Sequence, residues 1–243
     1  MWRATLRLRR PLLAAATLCS TTCATAALVS HCQAKDDQQL FSSRVTGKEP
    51  VGTTRWLKLE TLSYTDQTGR ARKWDMASRT TKRQGASADA VAILALIRST
   101  DAPNHVETLV VQQFRPPVNA VTVELPAGLI DPGETAEMAA IRELKEETGY
   151  VGSVAYCSGP LAMSPGLCDE TCQLVVVEVD LSLPANRRPV QQLEDTEFIK
   201  VTRVPLQNLH ERVLALEKEG CISIGMLHLL SFGLQLGQMG AML

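Results

Sequence analysis

Three glutamates are spaced so that together they could hold a metal ion. Glu143, Glu146 and Glu147 stand at positions i, i+3 and i+4, so on a helix they project from one side. Like charges at this spacing repel one another unless a cation compensates them. The alternative is a solvated acidic face, but only Arg142 and Lys145 supply positive charge nearby. Oxygen ligands suit hard divalent cations, so we predict that Mg²⁺ binds here, with Mn²⁺ also possible.

The neighbouring residues predict the helix that carries these glutamates. The Asp131–Gly133 sequence is a turn signal, and Thr135 can cap a helix that continues to Thr148. Gly149 is well placed to end that helix. Small and apolar residues recur at helical spacing, at Ala136, Ala140 and Leu144. We therefore expect one face of the helix to pack against a core while another presents the glutamates.

The whole segment Gly128–Tyr150 resembles the signature motif of the Nudix hydrolase family. The matching residues are Gly128, Glu134, Arg142, Glu143, Leu144, Glu146, Glu147 and Gly149, with Tyr150 at a last position that is usually aliphatic. The resemblance implies that Glu143 and Glu147 are the main metal ligands, that Glu146 assists, and that Arg142 orients the glutamates. It also implies hydrolysis of a diphosphate linked to a nucleoside, in which metal ions neutralise charge and activate a water.

Residues outside this segment resemble the ADP-sugar pyrophosphatases of the same family. That resemblance implies that ADP-ribose or a related ADP-sugar is cleaved to AMP and a sugar phosphate. The residues that it places against the substrate are Trp56, Trp74, Asp75, Arg79, Arg115 and Leu129. It also implies that the carbonyl of Ala127 binds a metal and that Glu197 is the catalytic base. Glu124 could be a ligand or could support the ligands from behind.

The types of these residues suit the roles that the resemblance implies. A flat base gains about 1–3 kcal/mol from an aromatic platform, and Trp56 and Trp74 are two of only three tryptophans. The planar fork of arginine donates two bonds to a phosphate at once. The alternatives are that both tryptophans belong to a hairpin core, that Arg115 serves a turn, and that Glu197 is one acid among several in an exposed loop.

Ser164 departs from the pattern of those enzymes, which carry an aspartate before Pro-Gly-Leu. A hydroxyl can form a hydrogen bond but carries no charge, so the substrate preference stays open, and Asp169 or Glu170 could compensate. The alternatives are a Nudix diphosphatase for UDP-sugars, dinucleotides or oxidised nucleoside diphosphates, and a module that binds ADP-ribose without cleaving it. The complete set of glutamates disfavours the module. A net charge of -1 disfavours nucleic acid as a partner, mRNA included.

The mixed order of strand-like and helix-like segments predicts a layered α/β domain. Trp56–Tyr64 and Arg70–Thr80 predict a hairpin around a turn at Asp66–Gly69. Further predicted strands are Ala90–Ile97, His105–Phe114, Gln173–Leu181 and Glu197–Val201, and a later helix is predicted at Pro205–Lys218, followed by the apolar Ile222–Leu234. The resemblance adds the Nudix fold, an α/β/α sandwich with a mixed sheet. It also adds an N-terminal β-hairpin subdomain, exchanged between the subunits of a homodimer.

We divide the chain into an extension (1–35), a linker (36–51), the hairpin subdomain (52–85) and the Nudix domain (86–243). The extension has no acidic residue and is rich in Arg, Ala and Thr, which is typical of a mitochondrial transit peptide. The alternatives are a secretory signal, a membrane anchor, or no targeting, with the enzyme in the cytosol or nucleus as in the resembled enzymes. Three of seven cysteines lie there, and the other four predict reduced thiols rather than a zinc site.

Overall fold

The computed structural model describes residues 41–82, 85–99 and 102–240. The predicted targeting extension (1–35), with Cys19, Cys23 and Cys32, lies outside the described residues. Within the described ranges, no helix is long and apolar enough to cross a membrane. The described cysteines, which are Cys157, Cys168, Cys172 and Cys221, are free thiols.

The described residues form twelve β-strands and four α-helices, with seven of the strands before the first α-helix. The strands are β1 (Arg44–Thr53), β2 (Leu57–Thr65), β3 (Ala71–Arg79), β4 (Ala90–Ser99), β5 (Ala102–Arg115), β6 (Ala120–Glu124), β7 (Ala127–Leu129), β8 (Ser153–Cys157), β9 (Leu161–Ala162), β10 (Thr171–Asp180), β11 (Lys200–Pro205) and β12 (Ile222–Ser223). The helices are α1 (Ala136–Thr148), α2 (Pro184–Arg187), α3 (Leu209–Lys218) and α4 (Gly225–Gln238). Short 3₁₀ turns occur at Pro116–Val118 and Leu206–Asn208.

The chain divides into two compact units. The first contains the residues up to Val51 and Glu60–Asp75, and the second contains Gly52–Leu59 and the residues from Met76 onward. The boundaries that we drew at residues 35, 51 and 85 stay predictions.

A three-stranded sheet in the order β1–β2–β3 corrects one prediction and confirms another. Strands β2 and β3 are the predicted hairpin. Residues 44–51 were predicted to be linker, which is wrong, because they belong to β1. The sequence of β1, RVTGKEPVGT, has no regular alternation of apolar and polar residues that could have revealed the strand, and every one of its residues is exposed.

The turn between β2 and β3 is organised by Asp66 in the first unit. Its Oδ1 accepts hydrogen bonds from the backbone N–H groups of Thr68 and Arg70 at 2.8 and 3.0 Å, and its Oδ2 accepts from Nε of Arg72 at 2.9 Å. The hydrogen bond from the Thr68 side chain, and to a smaller extent that from Arg72, lower the pKa of Asp66. Gly69 takes φ +81°, a conformation that glycine adopts without strain. The turn predicted at Asp66–Gly69 is therefore confirmed.

The second unit contains a nine-stranded mixed sheet. Its main order is β12–β6–β5–β4–β10–β8, with β11 beside β5, β7 beside β4 and β9 beside β10. Strand β10 runs parallel to β4, whereas β5 and β7 run antiparallel to β4. The central β4 is therefore next to β7, the short strand that leads into the loop before α1.

Alternate residues of the central strands face two separate cores. On β4, Ile93 packs with α1 on one face while Leu94 packs on the other. The first core includes Val175 and Val177 of β10 together with Leu144 of α1, and the second includes residues of α3 and α4. This period of two is what a sheet covered by helices on both faces requires. The predicted α/β/α sandwich with a mixed sheet is confirmed.

Other differences from the sequence predictions are local. The strand predicted at Glu197–Val201 begins only at Lys200, so Glu197 lies in the preceding turn. The apolar stretch from Ile222 divides into β12 and α4, and Pro205–Lys218 divides into a 3₁₀ turn and α3. Strand β6 was not predicted, because its five residues follow the Pro-rich turn too closely to show a pattern.

Candidate active site

Helix α1 begins and ends where its sequence signals indicate. The Thr135 hydroxyl accepts a hydrogen bond from the backbone N–H of Met138 at 3.3 Å, and Gly149 ends the helix in the left-handed conformation at φ 75°. Leu144 faces the core, whereas Glu147 points to β7, where its Oε2 accepts from the N–H of Ala127 at 3.0 Å. The helix thus brings its carboxylates against the backbone that precedes it.

Arg142 organises the acidic side of the helix. Its Nε and Nη2 donate to the two carboxylate oxygens of Glu134, both at 2.9 Å. Its Nη1 donates to Glu143 at 2.7 Å and to Glu146 at 3.0 Å, and Nη2 also donates to the carbonyl of Leu129 at 2.9 Å. These hydrogen bonds raise the pKa of the Arg142 guanidinium, and the bond to Glu134 contributes most. The predicted role of Arg142 in orienting the glutamates agrees with these contacts.

Glu143 and Glu147 are acids whose surroundings disfavour their charged forms. Only 3% of Glu147 is exposed, and burial, with the charges of Glu143, Glu197 and Glu124, raises its pKa to about 8 against the N–H of Ala127. Burial also raises the pKa of Glu143, although its bond to Arg142 opposes the shift. A buried carboxylate without a cation is costly, so these two acids are suited to bind one.

Gly128 has no side chain, and the carboxylate of Glu143 lies in the space that this leaves. A Cβ added at Gly128 would lie 2.0 Å from both Cδ and Oε1 of Glu143, far inside van der Waals contact. The Glu143 carboxylate therefore occupies the space that any other residue at 128 would fill. This explains physically why the motif has a glycine there, since φ at this residue is not in the left-handed range.

Only some of the predicted metal ligands lie where a divalent cation could bind them. Among the described residues, no group of three or more His, Cys, Asp or Glu is arranged to hold a metal. Glu146, the predicted assisting ligand, instead accepts from Arg142. Glu147 lies against the backbone N–H of Ala127, and Glu143 lies against the adjacent Gly128. Two carboxylates supply oxygen ligands of the kind that hard cations prefer, and a metal contact from the carbonyl of Ala127 stays a prediction.

Glu197, the predicted base, lies in the turn before β11 and close enough to influence the other acids. Its charge contributes to the raised pKa values of Glu143 and Glu147. Its Oε2 accepts from the backbone N–H of Glu194 at 3.0 Å, and the side chain is half-buried. The position agrees with a carboxylate that could take a proton from a water near the predicted metal ligands.

The two predicted phosphate-binding arginines are both paired with acids. Nε of Arg79 donates to Glu170 at 2.6 Å. Arg115 binds Glu124 through two parallel bonds of 2.8 Å. These bonds outweigh burial and lower the pKa of Glu124, while they raise that of Arg115. Neither pair was predicted, because the partners are chosen by the folded chain and not by local spacing.

The remaining predicted substrate contacts are Trp56 and Leu129 in the second unit and Trp74 and Asp75 in the first unit. In the second unit Trp56 is 58% exposed, with the guanidinium of Arg55 4.4 Å from its ring centroid, and Leu129 is also exposed. In the first unit Trp74 is 49% exposed, and Asp75 accepts from the hydroxyl of Thr61 at 2.7 Å. Neither tryptophan lies in a buried core, so the hairpin-core alternative is disfavoured for both.

Ser164 begins a tight turn in the second unit. Its carbonyl accepts from the N–H groups of Leu167 and Cys168, both at 2.9 Å, and its side chain is exposed. Glu170, one of the two acids that could compensate for it, is the partner of Arg79. Asp169, the other, accepts from the hydroxyl of Ser78 at 2.8 Å. Only Glu170 therefore contacts a predicted substrate-binding residue directly.

Comparison with known proteins agrees with the motif. A model described as "NUDIX domain" matches residues 87–220, which is more than half of the chain. The chain belongs to the Nudix family. Nudix hydrolases generally need a divalent metal ion, and the identification as a hydrolase of this family is confirmed.

Three relatives of this Nudix hydrolase have closely similar sequences. The chain is 44% identical over 166 residues to the ADP-ribose pyrophosphatase of Saccharomyces cerevisiae, covering 68% of this chain and 71% of that one. It is 43% identical over 166 residues to an uncharacterized Nudix hydrolase of Schizosaccharomyces pombe, covering 68% and 79%. It is 40% identical over 180 residues to the ADP-sugar pyrophosphatase of Mus musculus, covering 74% and 81%.

We predict that Gly128→Ala weakens metal binding with little loss of stability, because the added Cβ displaces the flexible end of Glu143 and not the backbone. The affinity for MgCl₂ or MnCl₂, measured by isothermal titration calorimetry, should fall at least about tenfold, as when partners of metal ligands are mutated. Gly159→Ala is the matched control, because its Cβ would meet no atom within 4 Å. Equal affinities in the two variants would contradict the role of Gly128.

The raised pKa of Glu147 predicts a pH-dependent stability in metal-free protein. The stabilisation is fully present below the ordinary value of 4.5 and is lost as the pH rises through about 8, because the folded protein must then hold a buried charge. In EDTA, the Tm of the wild type should therefore fall relative to that of Glu147→Gln between about pH 5 and about pH 9. A divalent cation should restore the wild type at high pH. Parallel Tm profiles in EDTA would refute the assignment.

Proposed function

We propose that this Nudix hydrolase cleaves ADP-ribose and related ADP-sugars to AMP and a sugar phosphate. The observation that carries the proposal is the complete Nudix helix, with Arg142 ordering its acids, in a chain 44% identical over 166 residues to an ADP-ribose pyrophosphatase. The 40% identity over 180 residues to an ADP-sugar pyrophosphatase supports the same substrate class.

The metal in this proposal is Mg²⁺, with Mn²⁺ as the alternative. Glu143, Glu147 and the carbonyl of Ala127 would hold it, and Glu146 would join them after leaving Arg142. A bound divalent ion supplies positive charge against the diphosphate and lowers the pKa of a coordinated water. Glu197, which is half-buried near these acids, would accept the proton of the attacking water.

Substrate binding in the proposal depends on an exchange of partners. Arg79 binds a phosphate oxygen in place of Glu170, and Arg115 offers the donors that Glu124 leaves unused. The exposed ring of Trp56 stacks on the adenine, and Leu129 lines the cleft. For Trp74 and Asp75, which belong to the first unit, a contact with the nucleoside stays what the resemblance implies. The absence of an acid at Ser164 leaves the terminal sugar less tightly selected.

A homodimer is a further part of the proposal. The resembled enzymes exchange their N-terminal hairpin between subunits, and the equivalent strands here carry apolar side chains in water. Val45 and Val51 in the first unit are 55% and 60% exposed, and Leu57 in the second is 50% exposed. Exposed apolar residues close together in sequence favour burial against a partner.

The activity is tested with purified protein, MgCl₂ and ADP-ribose, with AMP quantified by chromatography. We expect AMP and ribose 5-phosphate in equal amounts. Glu147→Gln should lower the turnover at least about tenfold, because it removes a metal ligand. Glu137→Gln, an exposed glutamate in the first turn of the same helix, should match the wild type. A parallel reaction contains UDP-glucose, whose cleavage would release UMP. If UMP appears from UDP-glucose and no AMP appears from ADP-ribose, the UDP-sugar alternative replaces the ADP-sugar proposal.

The oligomeric state is read by size-exclusion chromatography with light scattering. We expect twice the chain mass of 26.5 kDa. The double substitution Val45→Lys/Leu57→Lys should shift the protein towards monomer, since charges are costly in an apolar interface. Lys48→Glu on the same strand, a change between two polar residues, is the control. A wild type that elutes as a monomer at micromolar concentration would exclude the homodimer.

A further inference from the structure

A segment of irregular chain closes the C-terminal end of helix α1. The backbone N–H of Gln192 donates to the carbonyl of Glu146 at 2.7 Å. Gly149, one turn later, lies so close to this segment that an added Cβ would be 2.3 Å from the backbone N of Val190. The end of the metal-binding helix is therefore packed directly on residues 189–192.

The side chain of Gln191 joins two distant parts of the backbone within this segment. Its Nε2 donates to the carbonyl of Glu147 at 2.6 Å and to the carbonyl of Ile199 at 3.0 Å. One nitrogen carries both hydrogens, so the two carbonyls are held at a distance that a single planar amide dictates. Glu147 is a predicted metal ligand, and Ile199 stands two residues after Glu197.

These bonds tie the two ends of a short loop to the helix. We call residues 191–199 the Glu197 loop. Its first residue binds the helix end, and Ile199 at its other end is buried with 7% exposure. Between them the chain is mostly exposed, and the Glu197 carboxylate accepts a hydrogen bond from the backbone N–H of Glu194 inside the same loop. The placement of Glu197 relative to helix α1 thus depends on the contacts at the base of the loop.

We propose that Gln191 is a positioning residue, which sets the Glu197 carboxylate against Glu143 and Glu147 by bridging the carbonyls of Glu147 and Ile199. The proposal rests on the proposed hydrolase function and on Glu197 as its base. Gln191 itself lies at the surface and does not touch the acids. Water could satisfy either carbonyl when the amide is lost, but it would not fix the separation between them.

The expected effect is on turnover and not on substrate affinity. A displacement of about 1 Å between a catalytic group and the reacting atoms can cost about a hundredfold in rate. Gln191 is joined to the helix end and the loop, whereas Trp56, Arg79 and Arg115 lie on other elements. Loss of the bridge should therefore lower kcat while the KM for substrate stays nearly constant.

A double-mutant cycle tests the proposal on the full chain. Gln191→Met removes both donors at similar length. We expect it to lower kcat about tenfold, with KM changed less than about twofold. In the Glu197→Gln background the same substitution should change kcat less than about twofold, because the group that it positions is already lost. Gln192→Met is the matched control, because its bond to Glu146 comes from the backbone.

Each other outcome is decisive. The proposal would be overturned if Gln191→Met lowered kcat by the same factor in the wild-type and Glu197→Gln backgrounds. It would also be overturned if Gln192→Met lowered kcat as much as Gln191→Met does, or if Gln191→Met kept the kcat of the wild type. If Gln191→Met does not fold, Gln191→Asn retains the amide but reaches at most one carbonyl, and its loss must again vanish with Glu197→Gln. If the wild type releases no AMP, the proposed substrate fails, and the cycle is run on whichever nucleotide the wild type cleaves.

Discussion

The five N–H donors of Arg142 are the constraint on which the site depends. A guanidinium has five such donors in a fixed plane, and here they are distributed over Glu134, Glu143, Glu146 and the carbonyl of Leu129. One side chain therefore fixes the loop before the helix, the end of β7 and two acids of the helix itself. A lysine could supply only three donors from a point charge, so it could not order both the backbone and the carboxylates.

The saturation of Arg142 leaves Glu147 to depend on other groups. Glu143 is paired with the guanidinium of Arg142. The carboxylate of Glu147 instead accepts one hydrogen bond, from the backbone N–H of Ala127. It is nevertheless almost completely buried, with further acids nearby that raise its pKa. Such a group is unfavourable in the protein alone, and the surrounding sandwich must be stable enough to tolerate it. The first core, which continues from Leu144 into β4 and β10, supplies this rigid support directly beneath the acids.

The sequence was sufficient for α1 and for the central strands, because their signals are local. Thr135, Gly149 and the apolar spacing define the helix, and runs of Val and Ile define β4, β5 and β10. It was not sufficient for β1, whose residues are all exposed, or for the turn that contains Glu197, where the predicted strand begins three residues later. The pairing of Arg79 with Glu170, separated by 91 positions, also has no local signal. Partners of this kind are chosen by strand register and loop packing, which single-sequence patterns do not specify.

The two arginine pairs differ in how readily a diphosphate could replace the acid. The side chain of Glu124 is only 6% exposed, whereas that of Glu170 is 27% exposed. Separating Arg115 from Glu124 would leave a buried charge uncompensated, which is strongly unfavourable, while Glu170 could turn towards water. Arg115 binds its acid through Nε and Nη2, so it can keep this pair and still offer Nη1 to a phosphate. In the proposed binding mode, Arg79 would therefore be the arginine that changes partner, and Arg115 would keep its pair with Glu124. Burial of the acid, more than the strength of either bond, would then decide which arginine is available for a phosphate.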